Sequence, residues 1–156
     1  MVKVKYSLET VKKLRLLSGA GVMDCRRALE KTKGNLNQAF EVLRAEGEKI
    51  VAKKADRKTE EGLVASYIHA NGRVGAMVVL LCETDFVART VDFKNLAHEL
   101  TMQVAAMDPS SIEELLGQEY IKDCKLAVRD LIKQIITKTG ENIRIGKFVR
   151  MAINSS

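Results

Sequence analysis

The sequence predicts an α+β fold, in which a module of three helices precedes a β-β-α-α-β core with a three-stranded antiparallel sheet. Three observations support this fold class. Apolar residues recur with a helical period through the first 49 residues, alternate on both sides of Asn71-Gly72, and alternate again near the C-terminus after two more helical stretches. We therefore divide the chain into a helical module at residues 1–49, a charged linker at 50–61 and an α+β core at 62–156.

Short helices separated by turns fill the N-terminal module. Ser7 is a good N-cap for the first helix, and Asn35 with Gln38 three positions later resembles a capping box for the third. Because helices this short are marginal in water, they must pack on one another. The residues expected to face inward are Leu8, Val11, Leu14 and Leu17 in the first helix, Cys25, Ala28 and Leu29 in the second, and Leu36, Ala39, Phe40 and Leu43 in the third.

The linker contains the stretch VAKKADRKTEE at residues 51–61, which has no apolar face. Two interpretations stay open for it. It is either a flexible tether or a solvated extension of the preceding helix.

The core begins with a predicted hairpin around Asn71-Gly72, whose second strand is apolar on both faces and therefore central. The helical period then returns twice, and Gly140 ends the second of these helices. The tail alternates with Lys147 as an exception and predicts a third strand. The apolar stripes are Phe93, Leu96, Ala97, Leu100, Val104 and Met107 in the first core helix, Ile121, Cys124, Val128, Leu131, Ile132 and Ile135 in the second, and Ile143, Ile145, Val149, Met151 and Ile153 in the last strand.

The net charge of +6 comes entirely from the first part of the chain, because residues 1–61 carry 15 Lys and Arg against 9 Asp and Glu. A partner of that part is expected to be acidic. No apolar run is long enough to cross a bilayer, so we expect no membrane partner. Three widely spaced cysteines indicate neither a disulfide framework nor a zinc site, and we expect a cytoplasmic protein.

The sequence contains no convergent set of reactive groups. His69 and His98 have no Cys or acidic partner at ligand spacing, and Gly19 and Gly21 do not complete a dinucleotide-binding fingerprint. We therefore predict a protein that is not an enzyme and that needs no metal or other cofactor.

Two segments have features that packing alone does not explain. The turn at residues 19–24 displays Val22 and Met23 at a junction of two helices. The segment ETDFVAR at residues 83–89 lies where a buried strand passes into a helix. Its pattern alone predicts that Thr84 or Asp85 caps the helix and that Phe86 enters the core.

Four separated blocks resemble the bacterial translation elongation factor Ts family, in its short form with a single core. The blocks are SGAGVMDCRRAL at 18–29, AKKADRKTEEGLV at 52–64, CETDFVAR at 82–89 and TGENIRIGKF at 139–148. The resemblance implies a ubiquitin-associated-like N-terminal module, a linker and an antiparallel core. It also implies a guanine-nucleotide exchange factor that binds elongation factor Tu and promotes the release of its GDP.

The resemblance implies two groups of partner-binding residues. In the family, the first group presses on the partner's nucleotide domain and disturbs the site that holds magnesium and the β-phosphate, and the second group grips the same domain elsewhere. The first group corresponds here to Thr84, Asp85, Phe86 and Val87, and the second to Arg15, Val22 and Met23.

The chain departs from the longer members of the family, which carry two related core halves and an inserted coiled-coil arm. We therefore expect a homodimer in which a second copy replaces the missing half, with pairing through the last strand. Gly146-Lys147 also stands where the family commonly has two basic residues.

An alternative function is a basic nucleic-acid-binding adaptor, since the N-terminal module is positively charged and its helices meet at a turn that contains glycine. The scattering of Lys and Arg among Glu residues argues against it, so we expect no specific nucleic-acid partner. Filter binding with a steep dependence on salt would favour the adaptor.

Overall fold

The computed structural model describes residues 6–154. The first five residues of the predicted N-terminal module and the last two of the predicted core lie outside this range. The described part has the predicted α+β fold. Its elements in chain order are α1 (Leu8–Ser18), α2 (Val22–Lys31), α3 (Leu36–Lys54), β1 (Glu61–Ile68), β2 (Val74–Cys82), α4 (Asp85–Ala88), α5 (Val91–Met107), α6 (Ile112–Gly117), β3 (Glu119–Tyr120), β4 (Asp123–Ala127), α7 (Val128–Thr139) and β5 (Arg144–Ala152).

Helix α1 begins as predicted but buries only half of its predicted stripe. The Ser7 hydroxyl accepts a hydrogen bond from the N–H of Thr10 at 3.2 Å. Val11 and Leu14 are buried, whereas Leu8 and Leu17 are exposed. The prediction for these two was wrong because residues nine positions apart in an α-helix point in directions about 180° apart.

The other two helices of the module bury the side chains expected of them or leave them half-buried. Cys25, Ala28 and Leu29 of α2 pack against Ala39 and Leu43 of α3 in one apolar cluster. Helix α3 continues past residue 50 to Lys54, so the first part of the predicted linker is helical.

A separate apolar cluster lies beneath the sheet. Strands β1, β2 and β5 form an antiparallel sheet in the order β1-β2-β5, with β2 in the centre as predicted. The β1-β2 connection spans residues 69–73, longer than the two-residue turn that Asn71-Gly72 indicates, and Gly72 takes a φ of 71°. Helix α5 covers the inner face of the sheet with Phe93, Leu96 and Leu100.

A bulge in β5 explains the irregular alternation of the tail. Val79 of β2 pairs with Lys147, and Leu80 pairs with Ile145, so Gly146 is the extra residue. An extra residue moves every later side chain to the opposite face. Ile145 is buried as predicted, whereas the later apolar residues of the tail, Val149, Met151 and Ile153, are exposed.

The predicted second core helix begins seven residues later than its apolar stripe indicates. Residues 119–127 form the β3-β4 hairpin, and α7 starts at Val128. Side chains of α5 hold this hairpin. Buried Gln103 accepts a hydrogen bond from the N–H of Ile121 at 3.0 Å and donates one to the carbonyl of Glu119 at 3.0 Å.

Glu99 of α5 makes a second attachment to the same hairpin. It accepts hydrogen bonds from Lys122 at 2.7 Å and from the Tyr120 hydroxyl. Burial alone would raise the pKa of Glu99, but these two hydrogen bonds and the positive charge of Lys122 together outweigh burial and lower it. Tertiary contacts therefore override the local helical pattern of residues 121–127.

Within residues 6–154, no helix packs on the outer face of the sheet, which is largely apolar. Val64, Ile68, Met77, Val149 and Met151 are all exposed there, with 74% of Met151 accessible. Part of this face forms a groove of about 330 Å³. Among residues 6–154, no helix is both long and apolar enough to cross a membrane.

Candidate partner-binding site

The Phe86 turn, residues 84–88, joins the central strand to helix α5. Thr84 is the N-cap of the one-turn helix α4, and its hydroxyl accepts a hydrogen bond from the N–H of Val87 at 3.4 Å. Thr90 then caps α5 in the same way, with the N–H of Phe93 at 3.3 Å. The turn is thus fixed at both ends by rigid elements.

Phe86 does not enter the core, contrary to its local pattern. Its side chain is 77% exposed, whereas Val87 and Ala88 are each only 8% exposed and pack beneath the sheet. Successive helical residues point about 100° apart, so Phe86 faces solvent when the next two residues face the core. Because its ring is exposed, Phe86 contributes little to the free energy of folding.

Asp85 lies beside the exposed ring. Its carboxylate is 45% exposed and forms an ion pair with Arg89 at 2.9 Å, four residues along the chain. Exposed pairs of this kind contribute about 0–1 kcal/mol to stability. Asp85 can therefore exchange this partner for another at small cost.

Glu141 and Glu83 connect the Phe86 turn to the start of β5 by reciprocal hydrogen bonds. One oxygen of Glu141 accepts from the N–H groups of Glu83 at 3.2 Å and Thr84 at 3.1 Å, and the other accepts from the Thr84 hydroxyl at 2.6 Å. Glu83 in turn accepts from the N–H of Asn142 at 2.7 Å. Sequence reasoning did not find these contacts, although Glu141 and Asn142 lie in the TGENIRIGKF block.

Asn142 connects the linker to the region where the Phe86 turn meets the start of β5. Its side-chain amide is buried and donates to the carbonyls of Ala55 at 3.2 Å and Arg57 at 2.9 Å. The Arg57 guanidinium also lies 3.5 Å from Glu83. We call Arg57, Glu83, Thr84, Glu141 and Asn142 the corner network.

Cys82, two residues before the start of the turn, is a packing residue. Burial, and to a smaller extent the negative charge of Glu141, raise the pKa of its thiol to about 11. The thiol donates to the carbonyl of Thr84 at 3.1 Å. Because a neutral thiol is a poor nucleophile, Cys82 supports the turn and is chemically inert at neutral pH.

The other predicted partner-binding residues lie on the N-terminal module. Arg15 is in the last turn of α1, and Val22 and Met23 are in the first turn of α2, with all three exposed. Gly19, at a φ of 68°, and Gly21 form the turn between these helices. The structure therefore places residues 84–87 in one turn and Arg15, Val22 and Met23 on a different module.

The two histidines both contact Tyr67. The Tyr67 hydroxyl lies 3.1 Å from Nδ1 of His69, and its ring meets the ring of His98 edge-on at 5.9 Å. In the part of the chain that the structure describes, no group of three or more His, Cys, Asp and Glu side chains could hold a metal ion.

An exposed ring on a fixed corner and a second exposed apolar turn on a basic helical module are typical of a surface that binds another protein. Comparisons with known proteins identify the family. The family model described as Elongation factor TS matches residues 83–156. The chain therefore shares its C-terminal half, from the Phe86 turn onward, with that family.

Full-length relatives extend the similarity to the N-terminal module. The chain is 38% identical to the elongation factor Ts of Thermotoga neapolitana, covering 96% of this chain and 98% of that protein. It is 37% identical to that of Thermotoga maritima, with 96% and 97% covered. The chain belongs to the elongation factor Ts family. It is a translation elongation factor.

These relatives differ from the chain in length. The alignment with the Thermotoga neapolitana protein extends over 193 residues, more than the 156 of this chain, so at least 37 aligned positions have no counterpart here. The elongation factor Ts of Nostoc is 45% identical over 149 residues, which cover 96% of this chain and 47% of the Nostoc protein.

Proposed function

We propose that this chain is a guanine-nucleotide exchange factor that binds elongation factor Tu and promotes the release of GDP. The observation that carries the proposal is the 77% exposure of Phe86 on a turn that the fold holds fixed. Membership of the family supplies the partner. The proposed role involves no covalent chemistry, and it places the protein in the cytoplasm with elongation factor Tu.

In the proposed mechanism, Phe86 and Asp85 press on the nucleotide domain of the partner near the magnesium and β-phosphate site. Magnesium demands near-ideal octahedral geometry, so a small shift of the residues that support it weakens retention of the nucleotide. Thr84 and Val87, which the resemblance placed among the partner-binding residues, act instead from within this chain, because Thr84 caps the turn and Val87 is buried and anchors it in the core.

The exchange itself follows from thermodynamic linkage. A factor that binds nucleotide-free elongation factor Tu more tightly than the GDP-bound form lowers the affinity for GDP by the same ratio. Arg15, Val22 and Met23 supply a second contact with the partner, which raises affinity without acting on the nucleotide site. The excess positive charge of the N-terminal part favours an acidic surface there.

We also propose that two copies of the chain associate through the outer face of the sheet. This face exposes Val64, Ile68, Met77, Val149 and Met151, and two such faces can bury one another as a sandwich. A second copy would supply what longer relatives carry in one chain, since this chain covers only 47% of the Nostoc protein. The exposed residues favour contact through the face of the sheet over pairing along the edge of β5.

Sedimentation equilibrium tests the homodimer directly. A twofold mass at micromolar concentration supports it, and substitution of Met77 by Asp at the centre of the face is expected to give a monomer. A wild-type chain that sediments as a monomer and still exchanges nucleotide would exclude the dimer from the function.

Capture of elongation factor Tu by the immobilised chain tests the exchange function. We expect strong retention of elongation factor Tu without GDP and magnesium, and weaker retention when both are added. Retention that does not depend on the nucleotide would refute an exchange role, and no retention would refute the partner.

A further inference from the structure

We infer that Glu141 is a positioning residue that fixes the direction of Phe86 without touching the partner. The inference rests on the proposed function, because the direction of Phe86 matters only if this ring acts on another protein. Glu141 lies 55 residues further along the chain, on the segment between α7 and β5. Its hydrogen bonds with residues 83 and 84 hold the start of the Phe86 turn in place.

The contacts of Glu141 form a relay that ends at the Phe86 turn. The Thr84 hydroxyl donates to Glu141 at 2.6 Å, which directs a lone pair of the same oxygen to the N–H of Val87 at 3.4 Å. That second bond is the N-terminal cap of α4. Loss of Glu141 frees the hydroxyl to rotate and weakens the cap.

The same carboxylate also holds the strand end that precedes the turn. The N–H groups of Glu83 and Thr84 both donate to one oxygen of Glu141, at 3.2 Å and 3.1 Å. Hydrogen bonds to a charged acceptor are roughly twice as strong as neutral ones. Removing the carboxylate leaves the N–H groups of Glu83 and Thr84 without an acceptor. They can then bond only to water, which requires the start of the Phe86 turn to open.

Glu141 is itself held firmly, as a positioning residue must be. Gly140 before it ends α7 at a φ of 75°, with its N–H donating to Ile136 at 2.8 Å. Asn142 after it is buried and donates to Glu83 through its N–H and to the linker through its side chain. The backbone at Glu141 is therefore anchored to α7 through Gly140 and to Glu83 and the linker through Asn142.

A fixed direction matters for an exposed ring. Ordering a mobile turn at the moment of binding costs conformational entropy, which a preorganised turn has already lost on folding. Glu141→Ala should therefore slow nucleotide exchange although every residue that meets the partner is unchanged in sequence.

Hydrogen exchange in the free chain, followed by NMR, tests the inference without elongation factor Tu. In Glu141→Ala we expect the amides of Glu83, Thr84 and Val87 to exchange at least tenfold faster, with the amides of α5 unchanged. The matched control is Glu114→Ala, which removes a carboxylate that accepts from the N–H and hydroxyl of Ser110 on another loop. The control should not affect the turn.

Unchanged hydrogen exchange at the three amides in Glu141→Ala would overturn the inference. If that variant does not fold, Glu141→Gln replaces it, because the amide keeps the shape of the side chain but removes its charge and one of its two acceptor oxygens. Faster hydrogen exchange at the same three amides in Glu141→Gln supports the inference, and unchanged rates refute it.

A double-mutant cycle in the release of fluorescent GDP tests the effect on function. We expect Glu141→Ala to slow release at least tenfold when Phe86 is present, and less than twofold when Phe86 is already Ala. Equal effects in the two backgrounds would show that Glu141 does not act through Phe86. If the wild-type chain does not accelerate release, the proposed function fails, while the hydrogen-exchange result still decides the role of Glu141.

Discussion

Replacing Phe86 by Ala tests the part of the structure on which exchange depends most. The ring is 77% exposed in the free chain, so its loss should hardly affect folding. Surface substitutions outside special features change stability by about 0.5 kcal/mol or less. We therefore expect the melting temperature of Phe86→Ala to stay within about 2 °C of the wild type.

The effect on the complex is expected to be much larger. A Phe residue buries roughly 150–250 Å², so about 120–190 Å² of Phe86 is available to a partner. At about 25 cal/mol per Å², complete burial of that area is worth about 3–5 kcal/mol. Fixing the ring and the side chains around it costs about 0.5–1.5 kcal/mol. The remaining free energy of about 1.5–4.5 kcal/mol corresponds to a loss of about 10-fold to 2,000-fold.

Stopped-flow release of a fluorescent GDP from elongation factor Tu measures this loss. The matched control is Ile121→Ala, which truncates an exposed apolar residue on the β3-β4 hairpin and should release GDP at the wild-type rate. Release by Phe86→Ala within threefold of the wild type would refute the reasoning. An equal loss in both variants would show that the effect is not specific to the turn.

Three further predictions concern the scaffold. Burial raises the pKa of both Cys25 and Cys82, so a thiol reagent at pH 8 should label only exposed Cys124 in the folded chain, and all three cysteines in urea. The lowered pKa of Glu99 stabilises the fold above about pH 4.5, and this contribution is lost as the pH falls through the lowered value. Glu99→Gln should therefore lower stability by about 1 kcal/mol at pH 7 and by less at pH 3 in urea unfolding. Asn142→Ala should speed tryptic cleavage in the linker about tenfold, because two hydrogen bonds to linker carbonyls are lost.

Each of these has a clear contrary result. Rapid labelling of a second thiol in the folded chain would contradict the burial of Cys25 and Cys82. An equal loss of stability at pH 7 and pH 3 would contradict the charged state assigned to Glu99. Unchanged cleavage in Asn142→Ala, with Asn35→Ala as a control that removes a cap elsewhere, would show that Asn142 does not hold the linker.

The sequence predicted those structural features whose signals lie in a few neighbouring residues. Ser7 caps α1 and Thr84 caps α4, because a hydroxyl before a helix can reach the free N–H groups of its first turn. The central position of β2 followed from its two apolar faces. These features need no knowledge of distant residues.

Features that depend on distant contacts could not be predicted in this way. The stripe from Ile121 suggested a helix, but Gln103 and Glu99 of α5 hold that segment as a hairpin. The bulge at Gly146 became recognisable only from the pairing of β5 with β2. Its one earlier signal was Lys147, the exception in the alternating pattern.

The site was predicted in part. The local pattern placed Phe86 in the core, and only the resemblance to the family assigned the residue to a partner. The structure places the ring outside. The corner network joins positions 57, 83, 84, 141 and 142, and such long-range side-chain contacts leave no periodic signal in the sequence.

The central claim is that the chain prefers elongation factor Tu without its nucleotide, and titration calorimetry tests it most directly. Two ratios of dissociation constants are needed. The first is the dissociation constant of the chain for GDP-bound elongation factor Tu divided by its value for nucleotide-free elongation factor Tu. The second is the dissociation constant of GDP for elongation factor Tu in the presence of the chain divided by its value in the absence of the chain. Linkage requires the two ratios to be equal, and exchange requires both to exceed one. Equal affinity of the chain for the two forms of elongation factor Tu would contradict the proposed function.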